Sequence, residues 1–266
     1  MRARSPIYTA DNCRFAYQLN WGLTVFAVRP MPSASETLGN LSVVTEPDGV
    51  RILDYRWVNP RTIQFWLSTQ PACSPAKVVQ SVKGRWQYLL RDRFPKAFQR
   101  NYRIVSVGEI HEQTLQRYVS IQPDRHEMAD LRSTELISRF QYHNEHIDLG
   151  AIQRSNSGEY QNNIHLVLKN ADQLVDIHPD RLEIYRSGIQ RICAKKGYRL
   201  SRVGIAANHM HMLLGCNVTD QPSDVALSMM NNLAWLQGQK RMFQYGAFLG
   251  TFGNYDRDAI RLRSQR

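Results

Sequence analysis

Tyr160-Gln161-Asn162-Asn163-Ile164-His165-Leu166-Val167-Leu168 repeats, 143 residues later, the stretch Tyr17-Gln18-Leu19-Asn20-Trp21-Gly22-Leu23-Thr24-Val25. Further along, Pro75, Val78, Ser81 and Leu89 return as Pro222, Val225, Ser228 and Leu236 at an offset of 147. Phe98-Gln99 and Gly108 then return as Phe243-Gln244 and Gly253 at an offset of 145. Any one match could arise by chance, but ordered matches at nearly constant spacing argue for two copies of one unit. The chain therefore reads as a tandem duplication.

The second copy has the clearer pattern. An apolar strand at 160–168 precedes an amphipathic helix from Pro179 to Lys196, with Leu182, Ile184, Ile189, Ile192 and Cys193 as its apolar positions and Gly197 ending it. Strands at 198–205 and 208–215 form a hairpin, followed by a helix from Pro222 to Gly238, a strand near 243–252 and a final helix from Asp256. The first copy follows suit, with strand 16–28, hairpin strands near 50–57 and 61–68, helix 75–92, strand 102–108 and helix 111–122. Its first helix is the weak point, because residues 32–48 are rich in Ser, Thr, Gly and Pro. The order β-α-β-β-α-β plus a terminal helix is ferredoxin-like, which makes the fold class α+β. Exposed edge strands are a liability, so the two copies are expected to pack as a pseudo-dimer with joined antiparallel sheets. Residues 1–122 form the first copy, 123–158 a connector that is partly helical around Ser133 to Tyr142, and 159–266 the second copy.

Composition narrows the function. Lys plus Arg exceed Asp plus Glu by 34 to 23, a formal net charge of +11, which favours a polyanionic partner bound through phosphate contacts. Cys13, Cys73, Cys193 and Cys216 lie far apart, without the spacing of a zinc knuckle or a disulfide scaffold. A reducing cytoplasm fits. The basic start is followed by polar residues, and no apolar run approaches membrane-spanning length, so neither a signal peptide nor a membrane anchor is expected.

In Ala207-Asn208-His209-Met210-His211-Met212-Leu213-Leu214 the alternation of a strand sends both imidazoles to one face and both methionines to the other. Two imidazoles on one face can share a divalent metal if a third ligand arrives from elsewhere, or they can be two hydrogen-bonded histidines on a half-buried strand. The first copy has Thr62-Ile63-Gln64 at the matching place and so lacks the pair. It has instead a helical tyrosine, Tyr118, where the second copy has Arg263. Gln122, four residues on from Tyr118, lies on the same helix face. His143 and His146, three apart in the connector, are a further histidine cluster that could bind metal on a helix or be simply solvated.

With these residues the chain resembles the single-tyrosine HUH transposases, the insertion-sequence and REP-associated tyrosine transposases. Their marks are a His-hydrophobic-His strand and a later helix reading Tyr-x-x-x-Gln. The second copy resembles the family along nearly its whole length, in His165-Leu166-Val167, His209-Met210-His211 and Gly250-Thr251-Phe252-Gly253-Asn254; the first does so most in Val105-Ser106-Val107-Gly108 and the Tyr118 helix. Asn208 departs from it, standing where the family often has an acidic residue. In the family a helix of one subunit can deliver its tyrosine and glutamine to the histidine pair of the other. The resemblance thus implies one composite site, with His209, His211 and Gln122 as ligands of Mg²⁺ or Mn²⁺ and Tyr118 as nucleophile. The counterpart site, Thr62 and Gln64 with the Arg263 helix, should be dead. Tyr245 and Tyr255 are the local rivals for the nucleophile.

The implied activity is a single-stranded DNA nickase and strand transferase with a 5′-phosphotyrosine intermediate. A rolling-circle initiator or relaxase, and a non-catalytic hairpin-DNA-binding protein descended from a transposase, are the alternatives. A phenol ionises near pH 10, so metal coordination of the scissile phosphate would assist the attack. The expected partner is single-stranded DNA containing a hairpin. The internal pseudo-dimer lets the chain act as a monomer. Lys77, Lys83, Arg85, Arg91, Arg93, Lys96, Arg100 and Arg103, against Asp92 alone and with Trp86, Tyr88 and Phe94 interleaved, are the candidates for holding it. The same stretch also reads as a solvated helix face whose aromatics are core.

Overall fold

Local signals carry most of the elements. In the second half, Pro179 opens the helix Pro179–Lys196, where a missing N–H costs nothing. Gly197 closes it at φ 72, a left-handed conformation that glycine adopts without strain. The computed structural model describes residues 5–31, 35–108, 112–120, 131–173, 175–238 and 240–254.

In chain order the strands are β1 (Arg14–Gln18), β2 (Asn20–Ala27), β3 (Val50–Asn59), β4 (Thr62–Thr69), β5 (Phe98–Val107), β6 (Tyr142–His143), β7 (Gln153–Ser155), β8 (Gly158–Gln161), β9 (Asn163–Lys169), β10 (Arg199–Ile205), β11 (His209–Gly215) and β12 (Gly246–Thr251). The helices are α1 (Ser35–Thr45), α2 (Pro75–Val79) running through a π-helical turn into α3 (Arg85–Leu90), α4 (Glu112–Ser120), α5 (Leu131–Ser138), α6 (Pro179–Lys196) and α7 (Pro222–Leu236). The weakly signalled segment 32–48 thus contains a real helix, α1, whose Leu38 and Leu41 are buried. The terminal helix expected from Asp256 lies outside the described residues.

The strands form two six-stranded sheets, ordered β3-β4-β2-β5-β8-β7 and β1-β12-β9-β11-β10-β6. Within them β5-β2-β4-β3 and β12-β9-β11-β10 follow the same antiparallel plan, last-first-third-second. The sheets are not joined into one antiparallel sheet, as the sequence suggests. Each is mixed, because each receives one parallel strand from the other half: β1 runs beside β12, and β8 beside β5. The single strand read over 16–28 is accordingly two strands, broken at Leu19, and the stretch at 160–168 breaks likewise at Asn162. Hydrophobic alternation cannot reveal such a break, since both pieces are extended and half-buried. The physical gain is that the outer edges of β5 and β12 are paired rather than exposed.

The crossings are fixed by equivalent hydrogen bonds. Thr69 N–H donates to the Leu19 carbonyl at 2.9 Å, and Cys216 N–H to the Asn162 carbonyl at 2.7 Å. The buried Thr251 hydroxyl accepts from Asn20 N–H at 2.8 Å and lies 2.7 Å from the Val107 carbonyl it donates to, stitching the end of β12 to the first sheet. Ser106 Oγ donates to the Phe252 carbonyl at 2.8 Å and accepts from Asn163 N–H at 3.2 Å.

Helices α1 to α3 cover one face of the first sheet over a core containing Trp21, Leu23, Phe65, Trp86 and Ile104. Helices α6 and α7 cover one face of the second, over Ile164, Leu166, Met210, Met212 and Leu214, and Leu19 belongs to this core. A third, small core of Leu115, Val119, Leu149, Leu213 and Phe252 lies under α4. All four cysteines are buried and free. Among the described residues no helix is long and apolar enough to cross a membrane.

Thr251→Val keeps the volume of the side chain but strands Asn20 N–H and the Val107 carbonyl in a buried place. We expect a loss of about 1–3 kcal/mol in urea unfolding, and an unchanged midpoint would show that the stitch is not what holds the sheets.

Candidate active site

Strand β11 alternates as its sequence requires. Met210, Met212 and Leu214 enter the core beneath α6 and α7, while His209, His211 and Leu213 leave by the opposite face. Helix α4, from the first half of the chain, lies on that second face. Leu115 and Val119, four apart and therefore on one side of the helix, bury themselves against Leu149, Leu213 and Phe252. At about 1.5–3 kcal/mol for a fully buried aliphatic side chain, this pair is a substantial anchor for so short a helix.

Gly204 makes the seating possible. A Cβ built there would stand 2.7 Å from both Cγ1 and the carbonyl oxygen of Val119, closer than real atoms approach. Two residues back on β10, the Arg202 guanidinium donates to the Ser120 hydroxyl at the end of α4. Glycine inside a strand pattern is a signal for close backbone approach, and it is the one mark by which sequence reading could have found this contact.

The consequence is that Tyr118, half-buried, sits edge-on to His211 with ring centroids 5.7 Å apart and an interplanar angle of 81°. The two residues are 93 positions apart and belong to different halves. His209 and His211 are themselves 4.9 Å apart, centroid to centroid. The structure therefore brings together three of the four residues assigned to the composite site. The fourth, Gln122, lies outside the described residues. Of the rival tyrosines, Tyr245 packs against Tyr8 at 5.7 Å, on the helix-covered side of the second sheet, and Tyr255 is not described.

Two further side chains complete the polar cluster. Asn208 Oδ1 lies 2.7 Å from His209 Nδ1, and since an amide oxygen only accepts, His209 carries its proton on Nδ1. His165, on β9, lies diagonally across from His211, and its Nε2 is 2.9 Å from His211 Nδ1, with the rings stacked at 18°. Burial pushes the His165 imidazole down to about 4, so it is neutral at physiological pH. In sequence His165 is part of the family-like strand and carries no assigned role. Its shared face with the histidine pair becomes visible only once the register of β9 against β11 is known.

As donors for a hard or borderline divalent ion, the two imidazoles fit in chemistry, each having Nδ1 engaged by a neighbour. Among the described residues no group of three or more His, Cys, Asp or Glu side chains is placed to hold a metal, so a third donor would come from Gln122, the substrate or water. His143 and His146 do not form a helical pair: His143 is in the short strand β6 and His146 follows in a turn, both exposed.

The basic stretch divides. Trp86 is fully buried among Trp57, Phe65 and Phe98, and Phe94 packs against the same core, so these aromatics are structural. Lys83 donates its ammonium to the Arg100 carbonyl at 2.8 Å, and Arg85 grips Asp48 at 2.9 Å, holding that carboxyl below its ordinary range. Lys77, Arg91, Arg93, Lys96, Arg100 and Arg103 are exposed, and Tyr88, 60% exposed, lies under the Arg91 guanidinium at 4.1 Å.

Residues 41–122 match the family model described as "Transposase IS200 like". The match contains the tyrosine helix but not the histidine pair, and so falls on the half whose resemblance reads as the weaker in sequence. A structure assigned as a transposase from Deinococcus radiodurans R1 is 17% identical over 40% of this chain and 92% of its own, with a TM-score of 0.31. A REP-associated tyrosine transposase bound to a REP hairpin is 10% identical over 46% of this chain and 66% of its own, with a TM-score of 0.31. Likenesses this loose decide nothing about chemistry. No curated protein matches the chain.

Two outcomes follow from the geometry. Gly204→Val should lift α4 from β10, seen as increased hydrogen exchange in residues 112–120 with the sheet cores still protected; unchanged exchange there would mean the close approach is not limiting. The second concerns acid. The unfolded imidazole of residue 165 takes up a proton near pH 6.5 and the folded one only near 4, so the unfolded state binds more protons between those values. Stability is present above pH 6.5 and is lost as pH falls toward 4. Urea titrations should show this slope in the parent and a shallower one in His165→Gln; equal slopes would refute it.

Proposed function

We propose that the chain is a single-stranded DNA nickase and strand transferase of transposase type, acting through one composite site with Tyr118 as nucleophile and His209 and His211 as metal ligands, joined by Gln122. The observation that carries this reading is the placement of Tyr118 beside His211 across the two halves. The two halves are then two copies of one ferredoxin-like unit, 1–122 and 159–266 with a connector at 123–158, and the shared strand plan of the two sheets supports this.

In the nicking step the Tyr118 hydroxyl gives up its proton to solvent and its oxygen attacks the scissile phosphorus. The bond from phosphorus to the 3′ oxygen breaks, the 3′ oxygen takes a proton, and the 5′ phosphate remains on the tyrosine. A later 3′-OH attacks the phosphotyrosine, restoring a phosphodiester and returning the phenol, so no external energy source is needed. A bound Mg²⁺ or Mn²⁺ would neutralise charge on the non-bridging phosphate oxygens during the in-line displacement. The chain's own contribution is positional: the anchored helix fixes the tyrosine on one side of the histidine pair, and fixed orientation removes much of the entropic barrier. Lys77, Arg91, Arg93, Lys96, Arg100 and Arg103, with Tyr88 as a stacking surface, would hold the phosphates and unpaired bases of a hairpin-containing strand.

Tyr118→Phe removes one oxygen and keeps the packing, so unfolding free energy should change by less than about 0.5 kcal/mol while the covalent adduct with labelled hairpin DNA and Mn²⁺ disappears. His209→Ala and His211→Ala should abolish cleavage and leave hairpin binding within a few-fold, because phosphate contacts elsewhere supply most of the affinity. An adduct mapped to Tyr245 or Tyr255 would refute the composite site. No adduct from the parent chain would favour a DNA-binding protein without catalysis.

A further inference from the structure

The histidine pair is held by neighbours of different kinds. The Asn208 amide oxygen, which can only accept, faces His209 Nδ1, and this leaves the imidazole lone pair on Nε2. His211 faces another imidazole, and a hydrogen bond between two neutral imidazoles can run either way. If His165 donates, His211 carries its proton on Nε2 and cannot use that atom as a ligand. If His165 accepts, His211 has its proton on Nδ1 and its lone pair on Nε2, matching His209.

We propose that His165 is a positioning residue which accepts the Nδ1–H of His211 and so holds it in the tautomer that leaves the Nε2 lone pair for a divalent metal. The inference rests on the proposed composite site and adds to it the residue that selects the ligand atom. Three observations favour a positioning role over mere filling. The residue is 9% exposed, and the buried positions around it from Ile164 to Leu168 are aliphatic, so packing alone gives no reason for an imidazole here. Its ring is stacked on His211 within hydrogen-bonding distance, at 2.9 Å. Phe248 closes the far side at 5.9 Å in an edge arrangement, which confines the His165 ring between His211 and Phe248. Acceptors behind metal-bound histidines commonly set both tautomer and ring orientation, and losing one costs about 10–100-fold in metal affinity.

Long-range proton-nitrogen correlation spectra of the metal-free chain at neutral pH report the tautomers directly. His165 and His211 should both carry their protons on Nδ1; a proton on Nε2 of His211 overturns the proposal. Mn²⁺ titrations followed by electron paramagnetic resonance then compare the parent with His165→Gln, whose amide oxygen still accepts, and with His165→Leu, which cannot. About 10–100-fold weaker binding is expected for His165→Leu and a loss of only a few-fold for His165→Gln. Equal affinity in parent and His165→Leu would overturn the positioning role, as would equal losses in both variants. A parent that shows the expected tautomers but binds no Mn²⁺ would uphold the hydrogen-bond assignment while refuting the metal ligation in the proposed function, so the two failures are distinguishable.

Discussion

The contact on which the site depends is between backbone and backbone: the carbonyl of Val119 lies where a Cβ on residue 204 would have to be. Everything distinctive about the cluster follows from that approach. With glycine at 204, α4 can lie flat on β10, Leu115 and Val119 reach Leu213 and Phe252, and the turn that carries Tyr118 is set beside His211. A single added carbon would push the helix outward, and because helix and strand are each rigid, the displacement would reach the tyrosine undiminished.

A helix from the first half can reach the second sheet because the halves are already interlocked. Strand β1 belongs to the second sheet and β8 to the first, and each crossing carbonyl, of Leu19 and of Asn162, is bound by the end of the third strand in the sheet it enters or leaves. Leu19 even contributes its side chain to the second core. The exchange ties the relative position of the sheets to backbone hydrogen bonds rather than to a linker, and only such a tie makes a site shared between halves geometrically definite. A flexible connection would leave Tyr118 and His211 to meet by diffusion.

Sequence periodicity was a good guide wherever an element has one buried face and clear ends. The helix from Pro179 to Lys196 and the histidine strand emerge within a residue or so of where capping and alternation put them. It failed where the deciding information is tertiary. The breaks at Leu19 and Asn162 leave alternation intact, so a strand that changes sheets looks like one that does not. The division of the basic stretch was equally hidden: Trp86 and Tyr88 are both aromatic residues among cations, but one is fully buried and the other 60% exposed, which depends on a two-residue rotation about a helix broadened by a π-helical turn. For the candidate site, the meeting of Tyr118 and His211 was legible because one half carries the helical tyrosine and the other the histidine pair. His165 was not, because its role needs the β9–β11 register.

The same registers show how the row of side chains in the first sheet differs from the one beside Tyr118. In the second sheet Gly204 stands opposite His211, and His211 opposite Val167; in the first, at the corresponding places of an identical strand plan, Arg56 stands opposite Gln64, and Gln64 opposite Thr24. Arg56 donates from Nε and Nη2 to Gln64 Oε1 at 2.9 and 2.6 Å, and Gln64 donates to Thr24 Oγ1 at 3.4 Å. A helix brought as close as α4 is to Gly204 would collide with the arginine before any side chain it carried reached the middle of the row. The absence of imidazoles and the absence of a glycine at these places therefore reinforce one another. Without ligands in the row there is nothing for a tyrosine to meet, and with an arginine in place of glycine the row satisfies its own hydrogen bonds and excludes that approach. The asymmetry between the halves is thus a matter of steric access as well as of chemistry, set by one position, Gly204 on β10 and Arg56 on β3.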